Sequence, residues 1–146
     1  MTDSSMQEAA DRITQGDAAN ELDDYASAAT HYAEAADLYR KLGDDTGLAN
    51  ALARQGGSAL KLDDCASAST YCAEAGDLYR KLGDEKRLAD VLCFQGYAAR
   101  ELGDTASAAA HFAEAAELYR KLGDDVGIAR IRELEAELAR KLEGQN

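Results

Sequence analysis

Residues 23–45 read DDYASAATHYAEAADLYRKLGDD, residues 63–85 read DDCASASTYCAEAGDLYRKLGDE, and residues 103–125 read GDTASAAAHFAEAAELYRKLGDD. The first and third copies agree at 18 of 23 positions, and the period is 40 residues. The stretches between them match more loosely. Shared positions there are Ala9, Ala49 and Ala89, then Gln15-Gly16, Gln55-Gly56 and Gln95-Gly96, then Ala19, Ala59 and Ala99, and last Leu22, Leu62 and Leu102. A fixed period of this length marks a stacked-repeat architecture, in which each unit buries its apolar face only against its neighbours.

Each unit reads as two helices. Ala28, Tyr32, Ala35, Tyr39 and Leu42 step by three or four and so share one helical face. Gly43, Gly83 and Gly123 stop that helix, since glycine takes the left-handed C-terminal conformation without strain. Arg40 and Lys41 precede the stop, at the negative end of the helix dipole. Asp24, Asp64 and Asp104 are expected to cap the second helix of each pair, and Asp44 or Asp45 the first helix of the next. The pattern predicts seven helices, over 5–22, 25–42, 46–62, 65–82, 86–102, 105–122 and 126–143. The repeats then cover 5–42, 46–82 and 86–122, with a capping helix over 126–143, in one domain spanning 1–146.

Composition narrows the function. The chain has 146 residues, no Pro and no Trp, and a net charge of −12. A surface this acidic repels phosphate backbones and anionic lipid, so neither nucleic acid nor membrane is an expected partner. Residues 1–45 alone carry −8, so a basic segment is the partner chemistry that the charge favours. No uncharged stretch exceeds nine residues, too short to span a bilayer. The start, Met1-Thr2-Asp3-Ser4-Ser5, has neither a basic n-region nor an apolar run, so no signal peptide is expected. Three cysteines, an odd number placed in predicted helices, fit free thiols in a cytoplasmic protein.

The three copies resemble the tetratricopeptide repeat family. That family places a small residue midway along the first helix, where Gly16, Gly56 and Gly96 stand. It places Ala, a bulky residue and Ala along the second helix. Here those are Ala28, Tyr32, Ala35; Ala68, Cys72, Ala75; and Ala108, Phe112, Ala115. Small residues let two helix axes approach, and the larger one fills the gap. The usual period is 34; the 40-residue period resembles the longer variety. The early aromatic of the first helix is replaced by Arg12, Leu52 and Leu92. The resemblance implies an all-α, right-handed solenoid of three helical hairpins plus a capping helix. In that helix Ala129, Ala139 and Leu142 keep the repeat positions. Arg130, Glu133, Glu137 and Lys141 are expected on its polar outer face, and Ala136 takes the place of glycine because no partner helix follows.

The resemblance also implies that the first helices line a concave surface. The inward set is then Ile13, Asp17, Asn20 and Glu21 from the first unit; Asn50, Ala53, Arg54, Gly57, Leu60 and Lys61 from the second; and Asp90, Cys93, Phe94, Tyr97, Arg100 and Glu101 from the third. These vary between units while the second helices hardly do, which is where partner choice can be written; simple drift of the first helices is the plainer reading. Some relatives grip a terminal carboxylate with a clamp, whose places here hold Ile13, Asp17, Arg54, Asp90 and Phe94. Of these Arg54 alone suits a carboxylate, so that ligand is disfavoured. Phe94 and Tyr97 are the expected affinity anchors.

No catalytic constellation, metal-ligand spacing or glycine-rich phosphate loop is present in the sequence, so neither enzyme activity nor a cofactor is expected. His31 and His111 stand 80 residues apart at equivalent positions and read as surface side chains. Cys65 and Cys72 read as core filling, and Cys93 as a groove-facing thiol. The functional expectation is a protein-interaction module, an adaptor or regulator that holds a peptide or helix of another protein. The alternative is a scaffold subunit that self-associates into a homo-oligomer.

Overall fold

The computed structural model describes residues 2–145, and among them all regular structure is helical. The helices are α1 (Thr2–Glu21), α2 (Tyr25–Leu42), α3 (Asp45–Lys61), α4 (Cys65–Leu82), α5 (Glu85–Glu101), α6 (Thr105–Leu122) and α7 (Asp125–Glu143). The ends fall within three residues of the sequence expectation, the largest difference being the earlier start of α1.

Two kinds of turn alternate. After α2, α4 and α6, Gly43, Gly83 and Gly123 adopt φ of 70°, 72° and 67°, and their N–H groups reach back to Arg40, Arg80 and Arg120. The next N–H, from Asp44, Asp84 or Asp124, bonds to the carbonyl of Tyr39, Tyr79 or Tyr119 and completes a Schellman closure. After α1, α3 and α5 the same left-handed position is held by Asp23 (φ 59°), Asp63 (φ 60°) and Gly103 (φ 84°). Six aspartates then open the following helices. Asp24, Asp64 and Asp104 accept from the backbone N–H of Ser27, Ser67 and Ser107, while Asp44, Asp84 and Asp124 accept from those of Gly47, Arg87 and Gly127. The α3 cap is thus Asp44 rather than Asp45.

Every helix packs on its sequence neighbours, and α3 also approaches α5, as α5 approaches α7. No pair of second helices makes a comparable approach among the described residues. The stack therefore bends toward its first helices, and α3, α5 and α7 line the inner side. The repeated Ala–bulky–Ala triads are all buried, as are Ala9, Ala49 and Ala89. The mid-helix glycines have a steric cause. A Cβ at Gly16 would collide with the Tyr32 ring, at Gly56 with the Cys72 sulfur, and at Gly96 with the Phe112 ring. The same device recurs between units: a Cβ at Gly47 or Gly127 would meet the ring of Tyr39 or Tyr119, so these tyrosines pack between successive units as expected.

The terminal helix differs from expectation in its facing. Ala129 and Ala139, at repeat positions, are exposed, and α7 instead buries Gly127, Ile131 and Leu138. In α3 and α5 the equivalent alanines are covered by the helices packed around them; among the described residues no helix packs on that side of α7. Arg130, Glu137 and Lys141 do not form an outer polar face either. Arg130 lines the inner cleft, Glu137 pairs with Arg100 at 2.7 Å, and Lys141 lies 3.8 Å from Glu101.

Candidate functional site

The inner side holds two adjoining cavities. The larger, 480 Å³, runs from Asp17 and Asn20 of α1 past Asn50, Ala53, Arg54, Gly57 and Lys61 of α3 to Asp90 and Phe94 of α5. The second, 370 Å³, is walled by Leu60, Cys93, Tyr97 and Leu134. Gly57, Lys61, Phe94 and Arg130 line both. Phe94 is half-buried and central, and it packs over Gly57, where even a Cβ would sit at an ordinary contact distance of 4.0 Å from its ring.

Second helices contribute as well. Tyr32 donates its hydroxyl to Asp17 at 2.5 Å, Tyr79 donates to Asn50 at 2.6 Å, and Tyr119 donates to Asp90 at 2.5 Å. Each ring is buried; Tyr32 and Tyr79 reach the cleft wall, Tyr119 stays behind it, and each hydroxyl fixes a groove residue. Burial pushes the Tyr79 hydroxyl up to about 12, and it raises Tyr32 and Tyr119 too, with the adjacent Asp17 and Asp90 carboxylates adding to the effect. All three remain neutral donors at physiological pH.

Charge in the cleft is largely taken up by internal pairs. Asp17 pairs with Arg54 at 3.0 Å, Asp90 with Lys86 at 3.0 Å, and Arg87 with Asp84 at 2.8 Å. Arg100 is 7% exposed; it bonds Glu101 at 3.2 Å and Glu137 at 2.7 Å, with its guanidinium 4.6 Å from the Tyr97 ring centre. Lys61 and Arg130 make no ion pair among the described residues, and both line the cleft.

The expected inward residues therefore divide. Asp17, Asn20, Asn50, Ala53, Arg54, Gly57, Leu60, Lys61, Asp90, Phe94 and Tyr97 come together along the inner side. Ile13 packs against the core instead. Glu21 is exposed but lines neither cavity, and Arg100 with Glu101 forms a buried-edge ion cluster rather than open groove surface. Cys93 is 3% exposed, its sulfur lies 3.6 Å from the Tyr119 hydroxyl, and burial raises its thiol, so it is wall material rather than a reactive group. Cys72 is pushed up to about 12 by burial and fills core as expected. His31 and His111 are half-buried on second helices, outside the cleft.

Seven lining residues were not among those expected from sequence: Tyr32, Ser58, Tyr79, Arg87, Val91, Arg130 and Leu134. Arg130 and Leu134 stand 40 residues after Asp90 and Phe94, so the period itself carried the signal for α7. Tyr32 and Arg87 gave no such signal, because a repeat-packing tyrosine and a helix-opening arginine read as structural.

No protein-family model matches the sequence, and no curated protein matches it. Among solved structures, the chain is similar to the N-terminal domain of stress-induced protein-1 (STI-1) from C. elegans. The TM-score is 0.72 at 21% sequence identity, covering 90% of this chain and 97% of that one. The likeness is one of fold. Together with the seven helices in antiparallel succession, it shows an all-α helical solenoid fold that resembles the tetratricopeptide type. No helix among the described residues is long and apolar enough to cross a membrane.

Proposed function

We propose that this chain is a protein-interaction module whose inner groove holds a segment of another protein. The supporting observation is Phe94. A large aromatic stands half-buried between two connected cavities, flanked by Tyr97, Leu60 and Leu134, with the glycine of the preceding repeat beneath it. Aromatic anchors in a desolvated concavity carry most of the affinity in protein recognition. An apolar side chain seated there would bury area at little entropic cost to the rigid helices. The paired polar residues around it fix groove shape without offering an unpaired nucleophile–base set, so the reading is binding rather than catalysis.

The expectation of a basic partner segment loses its strongest support, because Asp17 already engages Arg54 and the Tyr32 hydroxyl. The scaffold alternative, self-association through exposed faces, draws on the uncovered side of α7, where Val126 is 72% exposed.

Panning a random-peptide display library on the immobilised chain tests the groove. Peptides recovered on the intact protein should weaken by about 1–3 kcal/mol on Phe94→Ala. They should be indifferent to Asp77→Asn on the exposed side of α4. Peptides that ignore Phe94→Ala and respond to Asp77→Asn would place recognition on the second helices.

A further inference from the structure

Every acid that lines the groove has a counter-ion, and among the described residues two cations there have none. Asp17 is answered by Arg54 and Asp90 by Lys86; Lys61 and Arg130 are left over, in a chain whose net charge is −12. Asp124, which bears on Arg130 through space, shares Lys86 with Asp90 and lies 3.5 Å from it, so it offsets Arg130 in part and leaves Lys61 wholly unanswered. Cations confined to a concavity with low-dielectric walls exert a field that the distant surface acids, screened beyond about 8–10 Å at physiological salt, do not cancel. The local charge of the groove is thus opposite in sign to the global charge of the protein.

Resting on the groove reading above, we infer that the partner segment is acidic, with two carboxylate side chains flanking an apolar residue. Lys61 belongs to the last turn of α3 and Arg130 to the second turn of α7, with α5 and Phe94 between them. Packed helices lie about 8–10 Å apart, so after the two side chains reach inward their charges are separated by about 10–20 Å. One carboxylate does not meet both. An extended chain rises about 3.3 Å per residue, so two acids about three to six residues apart span the gap and place an intervening side chain over Phe94. The spacing selects an internal segment over a chain terminus, whose single carboxylate leaves one cation unanswered.

Fluorescence anisotropy with three synthetic peptides, the first two blocked at both ends, tests this. One probe carries two glutamates about five residues apart around a central leucine–phenylalanine pair. A second replaces the acids with lysines. A third replaces them with glutamines and leaves the C-terminus free. The acidic probe should bind at least about tenfold tighter than the lysine probe, with a preference that shrinks as salt rises. Lys61→Glu with Arg130→Glu should abolish or reverse that preference; both side chains are exposed at the cleft, and unchanged circular dichroism checks that the variant is folded. The inference is overturned if the lysine probe binds as well or better, or if the double variant keeps the preference. It is equally overturned if the free-terminus probe binds best, or if the acidic probe shows no binding at about 1 mM. Phe94→Ala separates the two levels of reading. If it weakens all probes while no charge preference exists, the groove stands and the acidic partner falls. If it changes nothing, the groove falls.

Discussion

Asp63 occupies a backbone conformation that its repeat sister assigns to glycine. Its φ is 60°, against 84° at Gly103, and a side chain in this region costs energy that glycine avoids. Asp63→Gly should therefore stabilise the protein by up to about 1 kcal/mol in urea melts, offset in part by glycine's greater unfolded-state entropy. The sequence carried this clue, since Gly103 stands in register with Asp23 and Asp63, but a run of aspartates before a helix also reads as capping, which hid it. The mid-helix glycines were plainer, because a residue unfavourable in a helix recurred at a fixed place. Gly96→Leu should cost about 1–3 kcal/mol through collision with Phe112, whereas Ala136→Leu, on the exposed side of α7, should cost much less. Equal losses in the two melts would contradict the packing account. Repetition alone is not burial, however: Leu22, Leu62 and Leu102 recur faithfully and are 82%, 48% and 56% exposed.

At the scale of elements, α2 to α7 begin on aspartate and α1 to α6 are followed by a left-handed residue, and the sequence showed the caps and the glycine stops but not the left-handed Asp23 and Asp63. The Ser107 hydroxyl, at 2.7 Å, and then its backbone N–H hold the Asp104 carboxyl below its ordinary 3.8; the Gly127 N–H does the same for Asp124. Carboxyls depressed in the folded state bind fewer protons there than in the unfolded chain. Their stabilisation is complete above the ordinary carboxyl value and is lost as pH falls through the folded values. Thermal melts should thus weaken below about pH 4, and Asp104→Asn with Asp124→Asn should flatten that decline while leaving neutral-pH stability nearly intact, since asparagine also caps. Successive second helices are tied by Arg40–Glu74, at 2.8 Å, and by Arg80–Glu114. These pairs are exposed, so Arg80→Ala should shift stability by no more than about 1 kcal/mol. The facing of α7 was illegible because, among the described residues, no helix covers the side that carries its register positions. Its alanines keep the pattern, while Ile131 and Leu138 do the packing.

For the whole molecule, the period identified the solenoid and its inner side, because a 40-residue repeat of hairpins leaves few other ways to bury alanine-rich faces. Which inner residues remain open was not legible. That depends on pairs between units, such as Asp17–Arg54 and Arg100–Glu137, each joining residues 37 apart in sequence. Net charge does not describe the groove for the same reason. The −8 of residues 1–45 is spread over caps and outer faces, and the one groove acid of α1 is already paired. Light scattering across a concentration series bears on the scaffold alternative. One chain's mass throughout fits a module that binds other proteins, and a defined oligomer of the pure protein would favour the scaffold.

The central claim is that the inner groove is the binding surface. Site-specific photocrosslinking in the producing cells tests it whatever protein the groove holds. Benzoylphenylalanine replaces Phe94 in the groove or, as the comparison, Ala113 on the exposed side of α6. The account predicts a discrete crosslinked partner from the Phe94 position, lost when Lys61 and Arg130 are reversed in charge, and none from Ala113. Crosslinks from Ala113 with none from Phe94 would contradict it.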